Sequence, residues 1–198
     1  MKTSILVACF LTAIATRAAG ADETSGSPLC ADCHGVDGIS TERGIPHLNG
    51  QLLPYLESSM EKFKTSGRPR GSAKHVPNGV DNAQMTEILK GYSTSKAVRQ
   101  KSPKIDPALV AKGDSIYLNR CASCHPDNGR DSDKDAPLVA AQDLDYMITQ
   151  TGYFVDGKRK YTFKMDDAFR GLTGVELTAV AHFFANQDQE TPKKKKRR

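Results

Sequence analysis

The sequence predicts an all-α chain made of two tandem copies of one small helical domain. Three observations predict it. The pentapeptide Cys30-Ala31-Asp32-Cys33-His34 returns as Cys121-Ala122-Ser123-Cys124-His125. Their offset of 91 residues holds far beyond the motif, setting Pro46 on Pro137, Gln51 on Gln142, Tyr55 on Tyr146, Phe63 on Phe154 and Arg68 on Arg159. After one inserted residue the offset is 92, and Gly79 falls on Gly171, Met85 on Leu177, Ile88 on Val180 and Tyr92 on Phe184. Self-similarity at one fixed period marks a duplicated unit. Finally, apolar residues recur at helical spacing, and no stretch alternates as a half-buried strand would.

The elements follow in order. Residues 1–21 read as a secretory signal, with Lys2 as the positive start, a short apolar run from Ser4 to Ala15, and Ala19-Gly20-Ala21 as the cleavage site before Asp22. That run is too short to span a membrane, and no later stretch is long and apolar enough. The first copy occupies 22–93. A helix begins at or near the motif, a loop with Pro46 follows, and a middle helix runs from Pro54 to Lys64 with Leu53, Leu56, Met60 and Phe63 on one face. A Gly- and Arg-rich loop leads to a closing helix with Asp81 and Gln84 at its start and Met85, Ile88, Leu89 and Tyr92 on its apolar stripe. Residues 94–107 form the linker, polar, interrupted by Pro103 and Pro107, and without periodicity. The second copy, 108–192, opens with a helix from Ala108 to Asn119 that has no full counterpart in the first. Its closing helix starts on Thr173-Gly174-Val175-Glu176, a capping box in which each end residue satisfies a backbone N–H of the other.

C-x-x-C-H is the attachment signature of a c-type haem. Two thiols one helical turn apart can each form a thioether with a vinyl group on one porphyrin edge. The adjacent imidazole then lies under the ring, where it can bind iron as the proximal ligand. Once Cys9 is assigned to the leader, Cys30, Cys33, Cys121 and Cys124 are all the cysteines that remain. Disulfides would need no histidine after each pair, and zinc ribbons place their knuckles closer together with no obligatory adjacent His. The reading is therefore two haem c groups, with His34 and His125 as proximal ligands. Each copy is small for an independent core, and a buried porphyrin would supply the missing apolar volume.

A low-spin haem needs a second axial ligand. In the second copy the candidate is Met165, six residues before Gly171 in a short segment after the Arg loop; Met147 sits at core spacing on the middle helix, where Met fills space. The first copy has no matching methionine. Met165 maps onto Ala73 or Lys74, while Met60 and Met85 occupy core positions. His75 is one or two residues beyond, and a neutral imidazole binds iron near pH 7 whereas Lys74 would first have to lose its proton. His75, Lys74 or an open position all stay available. His47 and His182 read as ordinary structural residues.

Charge is unevenly placed. Residues 22–192 carry a net −3, and the six residues 193–198 are all basic, so the high isoelectric point belongs to the tail. The folded body lacks the basic face that nucleic acid requires. Such a tail is either a solvated end or an electrostatic dock for an acidic partner or anionic surface.

Together these residues resemble the di-haem class I cytochromes c of the cytochrome c4 family, including the related cytochrome subunit of flavocytochrome c sulfide dehydrogenase. The likeness rests on Cys30-Ala-Asp-Cys-His-Gly-Val-Asp-Gly, on Pro46-His-Leu-Asn-Gly-Gln, and on Asp106-Pro-Ala-Leu-Val-Ala-Lys-Gly before the second motif. It implies two tandem class I cytochrome c domains, each wrapped around one covalent haem and related by a pseudo-twofold axis. It also implies that the Pro46 and Pro137 carbonyls accept the Nδ1–H of His34 and His125. The expected function is periplasmic transfer of single electrons between redox proteins, from a dehydrogenase donor to an oxidase or another cytochrome. One alternative is an electron-transfer subunit bound to a sulfur-oxidising flavin dehydrogenase. The other is an enzyme acting at an open haem 1.

Overall fold

The computed structural model describes residues 27–69, 75, 77–133, 136–160 and 162–190, without the Phe163 side chain. The signal sequence, the basic tail and Lys74 lie outside the described residues. Among those described, the chain is all helical, with a single antiparallel bridge between Arg99 and Gln189 in place of any strand.

The first half contains α1 (Pro28–His34), α2 (Leu53–Lys64) and α3 (Asn82–Thr94). Pro28 and Pro54 open their helices, where a missing N–H costs nothing. Gly35 stops α1 at φ 77°, and a Cβ there would stand 2.3 Å from the Ile39 carbonyl oxygen, so only glycine fits directly after His34. Asp81 and Gln84 close a full capping box on α3. α2 and α3 pack through Leu56, Leu89 and Tyr92, with Met60 and Met85 in the same cluster.

The second half contains α4 (Pro107–Arg120), a 3-10 turn (Asp127–Gly129), α5 (Leu144–Val155), α6 (Phe163–Phe169) and α7 (Gly174–Ala185). The predicted capping box at Thr173 and Glu176 is present. α4 crosses α7 in the most extensive helix–helix contact among the described residues, burying Tyr117, Val180, Phe183 and Phe184. Met147 packs into this core, as its spacing suggested. The seven-residue α1 stands where the second half has the fourteen-residue α4.

Two features differ from the sequence-based expectation. The loop expected before the closing helix of the second half contains α6, whose N-terminus is capped by the Thr162 side chain on the Met165 N–H. The segment between α3 and α4 is strapped down despite its polar composition. Arg99 and Gln189 exchange both backbone hydrogen bonds, Ser102 N–H donates to the Ala185 carbonyl, and Ala97 and Arg99 are each only 3% exposed.

Candidate haem-binding sites

Cys30, Cys33 and His34 lie on the last turns of α1, whereas Cys121 caps the C-terminus of α4 and Cys124 and His125 continue as one further turn. The turn is held by His125 N–H donating to the Cys121 carbonyl at 2.9 Å. All four cysteines are free thiols and half-buried. Burial, then the neighbouring Cys124, pushes the Cys121 thiol up to about 11, and burial likewise raises Cys30. Among the described residues no cluster of three or more His, Cys, Asp or Glu is arranged to hold a bare metal ion.

Each motif histidine is held through Nδ1 by one hydrogen bond. His34 Nδ1 lies 2.9 Å from the Pro46 carbonyl oxygen and His125 Nδ1 lies 3.0 Å from that of Pro137. A carbonyl can only accept, so Nδ1 carries the proton and Nε2 is left with its lone pair for iron. Burial lowers both imidazole pKa values against the opposing pull of the proline carbonyls, which keeps the rings neutral and able to ligate. Phe184 stands edge-on to His125 at 5.9 Å, and the Tyr117 hydroxyl donates to the His125 carbonyl.

Opposite His34 stands His75. Their ring centres are 6.1 Å apart with the planes at 54°. A metal–imidazole bond is about 2.0 Å and a ring nitrogen stands about 1 Å from the ring centre, so two imidazoles sharing one metal have centres about 6 Å apart. The observed gap matches. His75 is stacked on Phe63 at 4.5 Å and 12°, and Phe63 also carries the Arg68 guanidinium at 4.8 Å. In the second half the counterpart of Phe63 is Phe154, which meets Phe169 of α6 at 5.7 Å. Both distal segments thus dock on the same duplicated phenylalanine, and α6 carries Met165, half-buried, one helical turn before Phe169.

The duplicated polar residues meet between the halves. Gln51 accepts from Leu138 N–H at 2.9 Å and donates to the Leu138 carbonyl at 3.0 Å, while Gln142 accepts from His47 N–H at 2.7 Å and donates to the His47 carbonyl at 3.0 Å. Arg68 donates to the Tyr146 hydroxyl and Arg159 to that of Tyr55. Arg159 lies over Phe154 just as Arg68 lies over Phe63. The junction is a pseudo-twofold one. It also has a one-sided part, where Asp145 and Asp143 receive Arg43 and the Gly44 N–H. His47 and His182 are structural, their Nδ1 atoms accepting from Ser40 and Asp106 N–H.

One buried group asks for an anion. Arg99 is 3% exposed, and none of its guanidinium nitrogens has a partner among the described residues. Burial alone lowers its pKa to about 10. A dry, unpaired guanidinium is costly unless a carboxylate reaches it. The porphyrin of a c-type haem brings two, so the residues present fit the group.

The sequence reading singled out neither Arg99 nor the Gln and Arg–Tyr pairs as site residues. For the pairs the signal was available, because Gln51 and Gln142, Tyr55 and Tyr146, and Arg68 and Arg159 repeat at the offset of the motif; Arg99 has no such counterpart.

No family model matches the chain. It is 27% identical over 175 residues to cytochrome c4 of Stutzerimonas stutzeri, covering 79% of this chain and 82% of that protein. It is 22% identical over 179 residues to the thiosulfate dehydrogenase electron acceptor of Stutzerimonas stutzeri (strain A1501), covering 81% and 80%. The solved cytochrome c4 of Acidithiobacillus ferrooxidans superposes with a TM-score of 0.67 at 25% identity, over 81% of this chain and 99% of that one.

Proposed function

We propose that the chain is a di-haem class I cytochrome c of the cytochrome c4 family, and that it carries electrons one at a time between redox proteins of the periplasm. It is an electron carrier rather than a catalytic enzyme. We read residues 1–21 as the export signal and 22–93 and 108–192 as two haem domains joined by 94–107. One haem c would be anchored by Cys30 and Cys33 with His34 proximal, the other by Cys121 and Cys124 with His125 proximal. Each haem supplies, when bound, a one-electron Fe(III)/Fe(II) couple.

The protein's part is to hold and bias those couples. Pro46 and Pro137 fix the tautomer and orientation of the proximal rings, and Arg99 would neutralise a propionate. The observation that carries the reading is the 6.1 Å between the His34 and His75 rings. It supports His75 as the distal ligand of haem 1, while Met165 on α6 serves haem 2. Thioether ligation favours Fe(II) relative to bis-imidazole ligation. Haem 1 would therefore have the lower potential, and electrons would enter at the first half and leave from the second. A redox titration combined with low-temperature EPR tests this. The expected result is one bis-imidazole and one His–Met signal, the bis-imidazole haem having the lower potential; equal potentials, or the reverse order, overturn it.

The likeness to a thiosulfate dehydrogenase electron acceptor favours a second reading, in which the partner is a sulfur-oxidising dehydrogenase. Co-purification of a catalytic subunit would establish it, and a chain isolated alone that reacts equally with unrelated donors would remove it. The basic tail serves as an electrostatic dock for an acidic partner. Truncation after Thr191 should slow reduction by that partner at low salt and matter little at high salt.

A further inference from the structure

The peptide unit that orients each proximal histidine is itself held by the opposite half of the molecule. The Pro46 carbonyl that accepts from His34 and the His47 N–H that donates to Gln142 belong to one amide. The Pro137 carbonyl that accepts from His125 and the Leu138 N–H that donates to Gln51 likewise belong to one amide. Gln51 and Gln142 are 3% and 4% exposed, and each also grips the next carbonyl in the chain, of Leu138 or His47. Only one amide orientation satisfies both contacts, so the acceptor oxygen faces the N–H in each case.

We propose that Gln51 and Gln142 are crossed positioning residues. Each sets the electron richness of the proximal imidazole, and so the potential, of the haem in the other half. The inference rests on the assignment of His34 and His125 as proximal ligands. Hydrogen bonds in series strengthen one another: an amide whose N–H is engaged is a better acceptor at its carbonyl. A better acceptor draws the Nδ1 proton, leaves more electron density on Nε2, and makes the ring a stronger donor to Fe(III). Gln142 thereby biases haem 1 toward the oxidised state, and Gln51 does the same for haem 2.

The Gln142→Met substitution keeps the length and bulk of the side chain and removes both hydrogen bonds to His47, together with the one accepted from the neighbouring Asp143 N–H. Its effect is read by redox titration of the full-length holoprotein with each haem resolved by NMR. The redox equilibrium of haem 1 should shift about two- to tenfold toward Fe(II), where tenfold corresponds to 59 mV for one electron. Haem 2 should stay in place. Gln51→Met should give the mirror image. In the reduced protein the His34 Nδ1 proton resonance should move upfield in Gln142→Met with that of His125 unchanged, and Gln142→Glu, which retains an acceptor oxygen, should restore it. Equal shifts at both haems, a shift only in the variant's own half, or no shift in a folded variant overturns the proposal while leaving the proximal ligands as assigned. If Gln142→Met does not fold, Gln51→Met and the Gln142→Glu resonance decide by the same criteria. A protein without two haem c spectra would overturn both assignments together.

Discussion

The α4–α7 crossing carries the second haem motif, because Cys121 follows directly on α4 and Phe184 of α7 meets His125. Its point of closest approach is Gly113. A Cβ built there would stand 2.2 Å from the Ala179 carbonyl oxygen, 2.7 Å from its carbon and 2.8 Å from Phe183 Cβ. Carbon contacts settle at about 3.5–4.0 Å, so the helices must separate by more than an ångström. Two of the three clashing atoms are backbone and cannot rotate away. Overpacking costs about 1–3 kcal/mol, and this geometry belongs at the upper end. Alanine returns roughly 1 kcal/mol of helix propensity. Gly113→Ala should therefore destabilise by about 2 kcal/mol, or roughly 4–8 °C in Tm for a protein of this size. Gly152 in α5 is the control, since a Cβ there meets nothing within 4 Å and Gly152→Ala should gain up to about 1 kcal/mol. Thermal unfolding followed at the haem absorbance and by far-UV circular dichroism makes the comparison. A Gly113→Ala protein as stable as the parent would refute the close crossing.

The remaining predictions concern ligation, the buried cation and a cap. His75→Ala should convert one haem to a form that binds added imidazole, restoring the parent low-spin spectrum; an unchanged spectrum would show that another residue ligates. Arg99→Leu should move the redox-linked protonation of a propionate to higher pH, because losing the adjacent cation raises an acid's pKa, and potentials measured across the neutral range would show it. Thr173→Ala should cost about 1 kcal/mol in chemical denaturation. The Thr173 N–H and hydroxyl hold the Glu176 carboxyl below its usual range, so its share of the capping stability is present above that range and is lost as pH falls below it through the lowered folded value. In Thr173→Ala that acid-side loss should shrink.

The helical fold, the duplication and the paired Cys-x-x-Cys-His motifs were legible because each rests on local or repeated sequence. Cys-x-x-Cys-His is a fixed spacing, the stripe Met85, Ile88, Leu89, Tyr92 is one helix face, and Thr173 with Glu176 is a four-residue cap. α6 was not legible, since Met165, Ala168 and Phe169 span barely one turn, too short a stripe to mark a helix, and the element is held by one cap and by Phe169 on Phe154. The strapping of Arg99 was equally hidden, because its backbone partner, Gln189, is ninety residues away. Gln51 and Gln142 occupy an intermediate position. The duplication made them visible as a pair, but that each reaches across to the opposite half depends on a twofold relation the sequence does not state.

That relation separates two influences on the haems. The proximal contacts are nearly equal in the two halves, at 2.9 and 3.0 Å for histidine to proline carbonyl and 2.7 and 2.9 Å for amide to glutamine. Equal contacts move both potentials together and cancel from their difference. On the proposed assignment the distal sides are unlike, with His75 on one and Met165 on the other, and the difference would come from there. The double substitution Gln51→Met with Gln142→Met should then raise both potentials and leave the gap between them almost unchanged, whereas His75→Ala should alter the gap. Potentials of the parent, the double variant and His75→Ala decide the matter. A double variant that closes or inverts the gap would mean that the junction, not the distal ligand, sets the direction of electron flow.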